Sequence, residues 1–117
     1  MSYTDGFVAA VPANGKSEYL EFAKKAAVIF KDFGALTVVE NWGDDVPEGK
    51  VTDFHRAVQV KENEIVVFSW ITWPDKATRD AGWEKVMSDP RMNDENNVMP
   101  FDGKRLIYGG FENILDV

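Results

Sequence analysis

His55 is the sole histidine of the chain and sits between Phe54 and Arg56, two residues after Asp53. Imidazole has an unperturbed pKa of ~6.5, so this is the side chain best matched to proton transfer near neutrality. The same pattern also fits a solvated or hydrogen-bonded loop histidine. Glu40 is the second candidate for catalysis, because it interrupts the apolar run of Val38, Val39 and Trp42, where a carboxylate is costly unless paired. Arg56, Lys104 and Arg105 are the cations expected to pair with it; a carboxylate left over from structure would be free to act as a base. Trp42, Trp70, Trp73, Phe101 and Tyr108 are expected near strand ends, either as walls for a flat organic ligand or as core and interface.

Other chemistries find little support. Asp44, Asp45 and Glu48 share a turn and offer oxygen ligands for a hard cation, but without EF-hand spacing, and acidic residues are ordinary in turns. The chain has no cysteine, which excludes disulfides, thiolate metal sites and a cysteine nucleophile. Ser69 and Ser88 lack the Gly-x-Ser-x-Gly setting, and Gly103-Lys104 lacks the glycine-rich spacing that cradles phosphate. The expectation is therefore no metal and no cofactor.

A formal charge of −7 repels nucleic-acid phosphates and anionic lipid headgroups, so neither nucleic acid nor membrane is an expected partner. No basic leader precedes the short apolar run Phe7–Val11, which is far below the length of a signal peptide or a membrane span. A bacterial, cytoplasmic protein is the expectation. With 44% hydrophobic residues in 117, one packed core is expected, in a single α+β barrel domain over residues 1–117.

The elements that must position these residues can be read in order. Residues 3–12 are rich in strand formers and stop at Pro12, followed by a turn at Asn14-Gly15. From Ser17 to Phe33, Tyr19, Phe22, Ala23, Ala26, Phe30 and Phe33 recur at helical spacing, and Gly34 supplies a left-handed stop. Leu36–Trp42 reads as a strand and Gly43–Gly49 as a loop. Phe54–Val60 reads as extended chain or a hairpin arm. Glu64–Trp73 is the strongest strand, and Asp75 is placed to cap a helix running to about Ser88. Trp83, Val86 and Met87 with Arg79 form that helix's expected inward stripe, and Asp89-Pro90 ends it. One helical turn is expected within Arg91–Asn97. Lys104–Leu115 reads as the last strand, with a bulge or the close approach of another backbone at Gly109-Gly110.

The order βαββαβ predicts a ferredoxin-like α+β fold, an antiparallel four-stranded sheet with two helices on one face. In the strongest strand, Val66, Phe68 and Trp70 alternate with Ile65, Val67, Ile71 and Trp73, so both faces are apolar. Two helices cover one face; the most economical cover for the other is a second copy, hence a homodimer.

The strings Gly43–Phe54, Val67–Trp70 and Met99–Phe111 resemble a bacterial family of unknown function typified by YbaA. This resemblance covers essentially the whole chain and implies a dimeric α+β barrel with no established activity. More distantly, a strand ending in Trp, an acidic helix start, Trp83 and Ser88-Asp89-Pro90 are similar to the antibiotic-biosynthesis monooxygenase superfamily. Its haem-degrading members carry a histidine ligand shortly after the second helix, a residue that Arg91–Asn97 lacks. Together these readings lead to a small homodimer that binds, or transforms without a cofactor, a small apolar or aromatic molecule in a cleft between helices and sheet. The alternative is a non-enzymatic binding or stress-associated dimer whose aromatics serve only core and interface.

Overall fold

Alternation of apolar residues makes Tyr3–Pro12 the first strand, β1, and the computed structural model, which describes residues 2–93 and 95–117, pairs it on both sides. Antiparallel β3, Glu64–Trp73, runs along its whole length from Tyr3↔Trp73 to Pro12↔Glu64, and β4, Ile107–Glu112, pairs from Tyr3↔Glu112 to Val8↔Ile107. The edge strand β2, Thr37–Trp42, lies against β3, giving the order β2-β3-β1-β4. This is the expected ferredoxin-like topology, with β3 at the boundaries read from its residues.

Helices α1, Lys16–Asp32, and α3, Lys76–Ser88, cover one face. Asp75 caps α3 by accepting from Thr78 N at 2.7 Å, and Gly34 adopts φ +111° where α1 turns toward β2. Between helices and sheet lie Ile29, Phe30, Ile71, Trp73 and Val86 at one end, and Ala9, Val11, Tyr19 and Val67 at the other. Trp73, Ile29, Val11 and Val86 are fully enclosed, so the helix–sheet layer is packed core where a ligand cleft was expected.

Several local expectations are corrected. Phe54–Ala57 is a short helix, α2, because Asp53 accepts from Arg56 N at 2.7 Å and turns the chain before it can extend. It brings Val58 against Val8, Ala10 and Val66 on the far side of the sheet. Met87 is exposed, and the inward position on α3 belongs to Gly82: a Cβ there would lie 2.5 Å from the Trp73 ring. The last strand is shorter than Lys104–Leu115, since Asp102 caps a 3-10 turn over Gly103–Arg105. Gly109 and Gly110 stay in unbroken register, and what approaches Gly110 is not backbone but the side chains of Tyr3 and Arg79. The turn expected within Arg91–Asn97 is a 3-10 turn over Pro90–Met92; Asp94 lies outside the described residues.

Candidate functional site

Strand alternation sends Ile65, Val67, Ser69, Ile71 and Trp73 to the helices and Val66, Phe68, Trp70 and Thr72 to the other face. The register then sets Thr37, Val39 and Asn41 of β2 beside Thr72, Trp70 and Phe68. On the other flank, Phe111 and Gly109 of β4 stand beside Thr4 and Gly6 of β1. The α2 segment covers the end of this face near Val8 and Val66; the end near Thr4 is open. There Phe68 is 43% and Phe111 61% exposed.

The open end is concave because two glycines face each other in the register. A Cβ on Gly6 or Gly109 would sit 3.6 or 3.5 Å from the Phe111 ring, so that ring lies across a floor without side chains. Phe68 and Trp70 stand edge to face at 5.4 Å, and Thr4, Thr72 and Asn113 complete the rim of a hollow of about 440 Å³. The Thr37 and Thr72 hydroxyls bond each other at 2.5 Å, which satisfies polar groups within the face itself. Apart from Glu64 at the far end, held by Arg105, the four strands place no charged side chain on this side. In a chain with 28% charged residues, that is a selective omission.

Two polar clusters lie on the opposite, helix-covered side. Asp5, 2% exposed, accepts from Trp73 Nε1 at 2.9 Å, Trp83 Nε1 at 2.7 Å and Arg79 Nη2 at 2.7 Å, the last two residues both on α3. Those bonds hold the Arg79 guanidinium even further above neutrality than usual, against the desolvation that opposes its charge. At the other end, Tyr19 donates its hydroxyl to Glu40 Oε1 at 2.5 Å, and buried Ser69 is the direct cross-strand neighbour of Glu40. Desolvation, then the Glu40 carboxylate, raises the Tyr19 pKa; desolvation raises that of Glu40, with the Tyr19 bond pulling it back. The partner of Glu40 is thus a phenol and not Arg56, Lys104 or Arg105. Arg105 instead bonds Glu64, and Arg56 bonds Asp53 and the backbone of Gly49.

The five candidate aromatics do not gather. Trp73 is core, Trp42 and Phe101 pack around Tyr19, Tyr108 is exposed on β4, and Trp70 alone lines the hollow. His55 rides on α2, whose Phe54 packs on Phe68 of the far face, so the sheet lies between it and the Glu40 carboxylate. Its Nδ1 is buried without a hydrogen-bond partner among the described residues. Neither His55 nor Glu40 lines the 440 Å³ hollow or the smaller one of about 210 Å³ between Trp42, Phe54 and Phe68. Asp44 and Asp45 edge the smaller hollow, and among the described residues no three His, Asp or Glu side chains converge as a metal site. The residues missed from sequence are Phe111, Gly6 and Gly109; the signal available was the glycine pair in strands otherwise rich in side chains.

Comparison with known proteins places this geometry. Residues 2–103 match the family model described as a protein of unknown function (DUF1428). The chain belongs to the DUF1428 family. Its DUF1428 relatives include the uncharacterized protein YbaA of Escherichia coli K12 and that of Shigella flexneri, each 63% identical over 116 residues and covering 99% of both chains. A dimeric ferredoxin-like protein from an uncultured marine organism shares the fold at 12% identity, with a TM-score of 0.65 over 99% of this chain and 98% of its own. Among the described residues of this DUF1428 member, no helix is long and apolar enough to cross a membrane.

Proposed function

We propose that the chain works as a homodimer in which two sheets face each other, and that the chamber between them binds a small apolar or aromatic molecule. The observation that carries this reading is the uncharged outer face, with Phe68, Trp70 and Phe111 around a floor of Gly6 and Gly109. Leaving such a face wet forfeits ~25 cal/mol per Å² of apolar area, and a single concave apolar surface with few polar groups is the usual form of a ligand site. The marine ferredoxin-like protein, described as dimeric, supports the same assembly. The charge of −7 favours a neutral or cationic organic ligand over nucleic acid or anionic lipid, and a cytoplasmic, dimeric α+β barrel fits this reading.

Indole and naphthalene are suitable neutral probes. A bound probe at ~100 times its Kd adds ~2.7 kcal/mol of stability and raises Tm. Phe111→Ala should abolish that shift. The reading fails if neither probe shifts Tm, or if the shift survives unchanged in both Phe111→Ala and Trp70→Ala.

Catalysis without a cofactor is the second reading, and the Tyr19–Glu40 bond is what favours it. A carboxylate with a raised pKa, in reach of a phenol and of the Ser69 side, is equipped to take up and return a proton. In that reading Glu40→Gln abolishes turnover while His55→Gln leaves it unchanged.

A further inference from the structure

The segment that follows β4 carries an apolar pair between acids: Ile114 and Leu115 are 88% and 76% exposed, flanked by Glu112 and Asp116. Its root is fixed, since Asn113 N donates to Ser2 O and Thr4 Oγ1 donates to Asn113 Oδ1, both at 3.1 Å. The segment therefore leaves the sheet where β4 ends and where β1 and β2 begin. At that same end, on the opposite edge, the turn from α1 into β2 exposes Leu36, 52% accessible. The solvent side of α1 running into this turn carries Lys24, Val28 and Lys31, spaced by four and three residues. One edge is acidic and apolar, the other basic and apolar.

These two patches cannot meet within one chain. Three strand spacings of ~4.8 Å separate β4 from β2, while the three residues Ile114–Asp116 extend over only ~10 Å. A two-fold axis parallel to the strands, the closure that sets two such sheets face to face, places β4 of one copy antiparallel beside β2 of the other with the same ends matched. We propose that residues 113–117 form an arm that crosses to a second copy. Ile114 and Leu115 lie on the partner's Leu36 and the partner's Val28, and Asp116 lies beside the partner's Lys31.

Area argues for the same occupant. The open end of the face spans ~17 Å of strand, Thr4 to Val8, by ~19 Å across four strands, roughly 320 Å², well under the ~800 Å² per partner of a standard stable interface. An arm from each copy, with the edge it covers, supplies further area at a place where charge is complementary. This inference rests on the homodimer proposed above and adds what holds its edges.

Sedimentation equilibrium at low salt, on the full chain and its variants, tests it. Leu115→Asp should weaken dimerisation at least about tenfold, the loss expected when a buried leucine becomes a charge. Asp116→Lys and Lys31→Glu should each weaken it about two- to fivefold, and the double swap should recover most of that loss. A dimeric parent whose association is unchanged by Leu115→Asp, or a double swap no better than the singles, overturns the arm while leaving the dimer standing. A monomeric parent overturns both.

Discussion

Arg79 Nη2 lies 2.7 Å from Asp5 Oδ1, joining the middle of α3 to the first strand across 74 positions of sequence. Asp5 is buried and Arg79 keeps 24% of its side chain accessible, so the pair is sheltered on one side and hydrated on the other. The two indole N–H groups bonded to Asp5 complete its shell and settle the rotation of α3 on the sheet.

Removing one partner of a buried pair leaves an uncompensated charge, at a cost of about 3 kcal/mol. Arg79→Met should therefore lower stability by about that amount in urea unfolding at pH 7. A loss below ~0.5 kcal/mol, the range of ordinary surface substitutions, would show that the two indoles alone satisfy Asp5.

Gly82→Ala should destabilise although alanine is the better helix former by about 1 kcal/mol. Its Cβ would meet the Trp73 ring at 2.5 Å and Phe33 O at 2.9 Å, and overpacking of this kind costs about 1–3 kcal/mol. A higher Tm in the variant would mean that α3 sits further from the sheet than described.

Glu64 is held at a pKa of about 2 by the Arg105 hydrogen bonds, against the desolvation that opposes them. A depressed carboxylate contributes stability that is complete above its unfolded value near 4.5 and is lost as pH falls toward 2. Arg105→Met should thus flatten that acid limb, with parent and variant converging below pH 2. Equal pH dependence in the two proteins would remove this pair from the acid response.

Glu40 runs the other way. Its pKa is raised above the ordinary 4.5 by desolvation, so its contribution is complete below 4.5 and declines as pH rises through the folded value. Relative to the parent, Glu40→Gln should gain stability from pH 4 to pH 8, because the amide oxygen still accepts from Tyr19 without the burden of charge. A variant whose difference from the parent is constant over that range would contradict the assigned direction.

The strands were legible because their signals are local and redundant: Glu64–Trp73 alternates without interruption and is closed by Pro74 and the Asp75 cap. Gly34 announced its left-handed turn for the same reason. The α2 turn was not legible, since four residues are too few to show a helical period, and the deciding signal was the single spacing of Asp53 and Arg56. Met87 was placed inward and Gly82 overlooked because apolar periodicity assigns no weight to glycine, while packing against Trp73 depends on its lack of a side chain. Glu40 was correctly read as a carboxylate in need of a partner, but the partner comes from α1 through tertiary packing. Asp5 carries the same signal, a carboxylate within an apolar strand, with Arg79 and Trp83 available downstream. Part of the candidate site was visible in Phe68 and Trp70. The rest depended on the β1–β4 register, which pairs Gly6 with Gly109 and which no local pattern specifies.

The uncharged face of the sheet is central to the account, and the mass of the particle in solution tests it most directly. Light scattering at micromolar concentration should return about twice the 13.2 kDa of the chain, and Trp70→Lys, which sets a charge in the middle of that face, should return a folded 13.2 kDa species. A parent that scatters as a 13.2 kDa monomer, or a Trp70→Lys variant that remains fully dimeric, would contradict it.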